Sequence, residues 1–84
     1  MPDNEENYRQ LDKLISPSVS RVFAEEDLQA GETEEAIATL LDEAFTAGRL
    51  TDKAIELAES RYDGGPVDEM LEAIKTIRAK NSAA

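Results

Sequence analysis

The chain has no cysteine, no histidine and no tryptophan, and only two Phe and two Tyr among its 84 residues. Without cysteine there is neither a disulfide framework nor a thiolate metal site, so stability must come from packing, helix capping or self-association. The same absence fits a reducing compartment. Without histidine the chain lacks the side chain most used for acid–base catalysis near neutral pH and the commonest metal ligand. With both missing, the usual nucleophile–base pairs cannot be assembled. Carboxylates are plentiful but lie on polar faces, where burial has little scope to raise their pKa values. A non-enzymatic protein with no cofactor and no bound metal is expected.

Long hydrophobic runs are also missing, and none approaches the roughly 20 apolar residues needed to span a bilayer. The first ten residues, MPDNEENYRQ, are polar and acidic where a signal peptide would be basic and then apolar. A cytoplasmic, soluble protein with no membrane partner is expected. The core must be built from eight Leu, five Ile, three Val, the four aromatics and some of the twelve Ala. That supply is enough for one small domain over residues 1–84 and too little for two.

Positive charge is scarce in one place above all. Between Arg21 and Arg49 there is no Lys or Arg, while eight of the intervening 27 residues are acidic: Glu25, Glu26, Asp27, Glu32, Glu34, Glu35, Asp42 and Glu43. Nine of the ten net negative charges fall in residues 1–48. Such a stretch is a solvated face, a docking face for a basic protein, or a mimic of nucleic-acid phosphate.

The periodicity is helical throughout. Ile37, Leu40, Leu41, Ala44 and Phe45 recur at i, i+3, i+4, i+7 and i+8, which predicts a helix over residues 34–47 with Thr33 as N-cap and Gly48 just past its end. Glu34 and Glu35 then occupy the first turn, where the helix dipole favours negative charge by about 0.3–1 kcal/mol each. Thr51 caps a helix over residues 52–62, with Leu50 and Ile55 spaced as a hydrophobic staple and Ile55, Ala58 and Tyr62 along one side. Gly64 and Gly65 end that helix, and Pro66 suits the first turn of the next. Val67, Met70, Leu71, Ile74 and Ile77 supply the apolar stripe of this last helix, with acids early and bases late.

Upstream, Ser16 and Pro17 mark the start of a segment with Val19, Val22 and Phe23 facing inward and Gly31 closing it. Before it, Tyr8, Leu11, Leu14 and Ile15 form a short amphipathic stretch. No segment alternates with period two. The expected fold is all-α: a small antiparallel helical bundle or orthogonal array of four to five short helices, frayed at residues 1–5 and 80–84.

Three motifs invite a more specific function. Residues 43–57, EAFTAGRLTDKAIEL, can be set against a helix-turn-helix, but Arg49 stands where an apolar residue is wanted and the second helix carries net negative charge. A protein of net charge −10 is repelled by phosphates, so no direct nucleic-acid binding is expected. EEDLQAGETEE lacks the EF-hand spacing, with Glu32 at the position that needs glycine. Gly64 and Gly65 have no preceding strand or P-loop lysine and read as helix punctuation. Tyr8 and Tyr62 sit where either a core-rim residue or an interface anchor would.

The sequence therefore leads to a small acidic interaction protein, a bacterial or phage regulator, inhibitor or chaperone, that binds a basic protein through its acidic N-terminal half. Its expected contact residues are the eight acids named above. The alternatives are a nucleic-acid mimic that inhibits a DNA- or RNA-handling protein, and a helix-turn-helix regulator of DNA. Short helices with thin apolar faces also leave a symmetric homodimer open.

Overall fold

Capping residues divide the chain into five helices: α1 (Asn4–Lys13), α2 (Val22–Gln29), α3 (Thr33–Thr46), α4 (Asp52–Arg61) and α5 (Gly65–Ser82). The structure, a computed structural model, describes residues 3–82, and no strand occurs among them. Asp3 starts α1 by accepting a hydrogen bond from the Glu6 amide at 3.1 Å. Thr51 starts α4 in the same way, its hydroxyl accepting from the Ala54 amide at 3.2 Å. Of the ends expected to fray, residues 3–5 and 80–82 lie in cap or helix, and the remaining four residues lie outside those described.

The stops are equally local. Gly31 and Gly48 adopt positive φ just past α2 and α3. After α3, the Gly48 amide donates to the Phe45 carbonyl and the Arg49 amide to the Ala44 carbonyl. After α2, Gly31 donates to Leu28 and Glu32 to Asp27 in the same pattern. Each pair of bonds is a Schellman ending, which satisfies carbonyls the helix leaves free and needs a left-handed residue that glycine supplies without steric cost.

Packing centres on α3, which buries Ala36, Ile37, Ala38, Leu40, Leu41 and Ala44. It touches α1, α2 and α5, while α4 lies against α1 and α5. One hydrophobic cluster joins these elements, with Leu11, Ile37, Leu40, Leu41, Val67, Leu71 and Ile74 almost fully enclosed. Tyr8 and Tyr62 are buried at its edge, as core-rim residues. A polar seam ties α1 to the end of α4: the Tyr62 hydroxyl donates to Asn4 Oδ1 at 2.6 Å and accepts from Asn7 Nδ2 at 3.1 Å, while Arg61 donates to Asn7 Oδ1 at 2.7 Å.

Several expectations are corrected. Gly64 and Gly65 do not end α4, which stops at Arg61 with Tyr62 as an extended cap, and Gly65 is the first residue of α5. The segment from Ser16 is not helical up to Arg21, and α2 begins only at Val22. Val22 and Phe23 therefore do not face inward: they are 59% and 62% exposed, whereas Val19 is buried. Thr33 is the first residue of α3 rather than its cap. Glu32 takes the cap position without a side-chain hydrogen bond. At the far end Ile77 is also exposed, although Lys75 and Arg78 on either side of it still reach Glu59 and Asp52 of α4.

Candidate functional site

The eight carboxylates separate according to the helix face each one falls on. Glu25, Glu26, Glu32, Glu35 and Asp42 are exposed, while Asp27, Glu34 and Glu43 are half-buried. Asp27 is drawn into the fold, accepting a hydrogen bond from the Thr39 hydroxyl at 2.7 Å and so fastening α2 to α3. Glu34 leans toward the start of α5, where its Oε2 would lie 3.2 Å from a Cβ placed on Gly65. Glu43 turns one carboxylate oxygen, Oε2, into a buried position with no hydrogen-bond partner.

The exposed acids do not converge on one spot. Glu32 and Glu35 line a hollow with Asn4, Gly31, Thr33 and Glu34 at the beginning of α3. Asp42 and Glu43 line another near the end of α3, about 15 Å along the axis from Glu32 at 1.5 Å per residue. Glu25 borders a third hollow, between α1 and α2, with Tyr8, Asp12 and Arg21. The acidic stretch thus wraps the α2–α3 hairpin instead of forming a single patch around its loop.

Among the described residues no ion pair offsets this charge. The ion pairs among the described residues are Arg9–Glu6, Arg21–Asp12, Lys75–Glu59 and Arg78–Asp52, and none uses any of the eight acids. Arg21 would be the natural counter-ion, but its guanidinium points elsewhere. Its Nη1 donates to the carbonyls of Ser16 at 2.8 Å and Val19 at 2.7 Å, and its Nη2 to those of Ile15 at 3.1 Å and Asp12 at 3.3 Å. Its Nε donates to Asp12 Oδ1 at 2.8 Å. A planar fork of donors suits such a ring of acceptors.

This clamp explains the exposure of Val22 and Phe23. It holds residues 14–20 as a turn, so α2 starts at Val22 and runs for only eight residues. Of the other helices α2 touches only α3, on which it lays Ala24, Asp27 and Leu28. Val22 and Phe23 then fall on its outward side. Phe23 forms one wall of a groove of about 400 Å³ whose other walls are Ser20, Asp42, Glu43, Thr46 and Ala47. An apolar ring stands beside two carboxylates, with no cation between.

Comparison with known proteins finds no matching family model, no similar curated protein and no similar solved structure.

The remaining geometry bears on the other chemistries considered. Two phenols, Tyr8 and Tyr62, are displaced from their ordinary range. Burial pushes the Tyr62 phenol above its ordinary value, partly offset by the bond from Asn7. Burial also raises Tyr8, helped by the nearby negative charge of Asp12 and opposed by Arg21. Among the described residues no three acidic side chains come close enough to hold a metal ion, and no helix is long and apolar enough to cross a membrane. The α3 and α4 segments, set against a helix-turn-helix on sequence, do not pack on one another.

The surface residue that sequence reasoning missed is Phe23. Its signal was present: Ser16, Pro17, Ser18 and Ser20 are turn formers. Reading them as one loop puts Val19 out of phase with Val22 and Phe23, and leaves Ala24 and Leu28 as the inward pair of the following helix.

Proposed function

We propose that the protein is a small, cytoplasmic, non-enzymatic interaction protein that binds a basic protein partner through the acidic surface of its α2–α3 hairpin. The observation that carries this proposal is the uncompensated charge: every ion pair among the described residues lies outside the stretch, and the one cation at its edge with its guanidinium buried in hydrogen bonds is Arg21. Carboxylates needed only for solubility are commonly interspersed with cations that offset them. Charge left uncompensated around the hairpin speeds the encounter with a basic partner and disfavours acidic ones.

Two features favour a protein partner over mimicry of nucleic acid. The exposed acids sit in separate groups around the hairpin, whereas duplex DNA presents one charge per strand about every 3.4 Å. An exposed Phe stands among them, and aromatic side chains are enriched where proteins dock on proteins. A helix-turn-helix reader of DNA is disfavoured by the net charge of −10 and by the separation of α3 from α4.

The test is a native pull-down with the wild-type chain and with a variant carrying Glu25→Lys, Glu26→Lys, Glu32→Lys and Asp42→Lys. These four side chains are exposed and appear in no side-chain hydrogen bond, so the fold should tolerate their reversal. Captured partners should be basic proteins that the variant loses. Retention of the same partners by the variant would defeat the proposal. Displacement of the captured protein by duplex DNA would move the assignment to a nucleic-acid mimic.

A further inference from the structure

We infer that the groove between Phe23 and the end of α3 is where the partner is gripped, and that its occupant is a basic amphipathic segment of another protein, with one apolar side chain seated against Phe23 and Lys or Arg residues flanking it. This rests on the proposal that the protein binds a basic partner, and adds where and how.

Phe23 is 62% exposed and its neighbour Val22 is 59% exposed, the two most solvent-accessible large apolar residues in the described part of the chain. Both lie on the outward side of a helix whose other side is already committed to α3. Phe23 is not adrift on the surface, because it helps line an open groove of about 400 Å³ together with Thr46 and Ala47. That space can take one apolar side chain of a partner.

The rim fixes the sign of the partner. Asp42 is exposed and Glu43 half-buried on this rim, and neither carboxylate has an ion-pair partner among the described residues, so the rim carries open negative charge. Glu26 stands on the same outward side of α2 as Val22 and Phe23. No Lys or Arg occurs between Arg21 and Arg49 to compensate these groups. A second copy of this chain would set one acidic rim against another, and nucleic acid or an anionic membrane would be repelled. A Lys or Arg beside an apolar residue satisfies both parts of the site, in the manner of an amphipathic helix laid in a groove.

The experiment is an NMR titration of the isotope-labelled full chain with three synthetic peptides of about 18 residues, long enough for a helix. One carries a Leu stripe with Lys elsewhere, one replaces Leu by Gln at the same charge, and one keeps the Leu stripe with Glu in place of Lys. The Leu/Lys peptide should shift amides of residues 20–26 and 42–47. Phe23→Ala should weaken it about tenfold or more, as expected for an aromatic anchor. Thermal unfolding of that variant should match the wild type, since the side chain it removes is mostly in solvent.

The Gln/Lys peptide should bind at least about tenfold more weakly, and the Leu/Glu peptide should not bind. Equal binding of the Leu/Lys peptide to wild type and Phe23→Ala, or equal affinity for Leu/Lys and Gln/Lys, would overturn the groove while leaving the basic-partner proposal standing. Failure of both basic peptides to bind would overturn both. A homodimer that Phe23→Ala dissolves would replace the basic segment by a second copy as the occupant.

Discussion

Replacing Arg21 by alanine should destabilise the protein by about 3 kcal/mol, taking the low end of about 1.5 kcal/mol for each strong hydrogen bond to a charged group. The strong bonds are the two short ones, to the Ser16 and Val19 carbonyls at 2.8 and 2.7 Å. The longer bonds to the carbonyls of Ile15 and Asp12 add little. The Asp12 ion pair adds only ~0–1 kcal/mol, because Asp12 is 44% exposed whereas the Arg21 side chain is 18% exposed. For a chain of this length a total stability of about 4–13 kcal/mol is ordinary, so this one side chain holds a large share.

Thermal unfolding followed by circular dichroism should show a drop of roughly 12–24 °C, at about 4–8 °C per kcal/mol for a domain this small. Two further variants separate the causes. Arg21→Lys keeps the charge but not the planar fork and should lose about 2 kcal/mol. Asp12→Asn removes only the ion pair and should cost less than about 1 kcal/mol. An Arg21→Ala protein that melts within about 3 °C of wild type would refute the clamp. Asp12→Asn costing as much as Arg21→Ala would show that the ion pair, not the carbonyl ring, holds the turn.

Other consequences of the structure can be checked alongside. Gly48→Ala should cost about 1–2 kcal/mol in chemical denaturation, because no atom lies within 4 Å of the added Cβ and the whole effect is the left-handed backbone at φ +71°. Glu43→Leu should raise stability by about 1 kcal/mol by removing a buried oxygen that has no hydrogen bond. Tyr62→Phe should cost about 1–2 kcal/mol, since it leaves the buried Asn7 Nδ2 and the Asn4 Oδ1 without their partner. The raised phenols of Tyr8 and Tyr62 also set a pH dependence. The folded chain holds both protons more tightly than the unfolded one, so their contribution is intact below about pH 10 and is lost as pH rises beyond it. Tyr62→Phe should flatten part of that alkaline decline in denaturation midpoints measured on either side of pH 10.

The helices were legible wherever punctuation and periodicity agreed. Thr51 and Gly48 act through backbone chemistry that needs no knowledge of the fold, and the stripe from Ile37 to Phe45 is long enough to declare its phase. The Gly64–Gly65 pair marked the break between α4 and α5 but not its detail, since α4 stops at Arg61 and Gly65 opens α5. The region around Ser16 to Phe23 was not legible by those means. Its conformation depends on Arg21 reaching back across the chain to the carbonyls of residues 12, 15, 16 and 19, a contact with no sequence period. Once that turn is misread as helix, Val22 and Phe23 are assigned to the wrong side. The acidic residues were legible as a group but not as an arrangement: only their positions around α2 and α3 separate Asp27, bound to Thr39, from Glu26 and Asp42, which face solvent.

The most direct test of the central claim is the affinity of the purified captured partner for three forms of the chain, measured by calorimetry at two salt concentrations. The forms are the wild type, a variant with Glu25, Glu26, Glu32 and Asp42 changed to Gln, and a variant with Glu56, Asp63, Glu69 and Glu72 neutralised in the same way. Binding through the α2–α3 surface predicts a loss of at least about tenfold for the first variant, a smaller salt dependence of what remains, and less than about twofold change for the second. Equal losses in the two variants would show that the partner responds to net charge alone, and the acidic hairpin would then have no special part in binding.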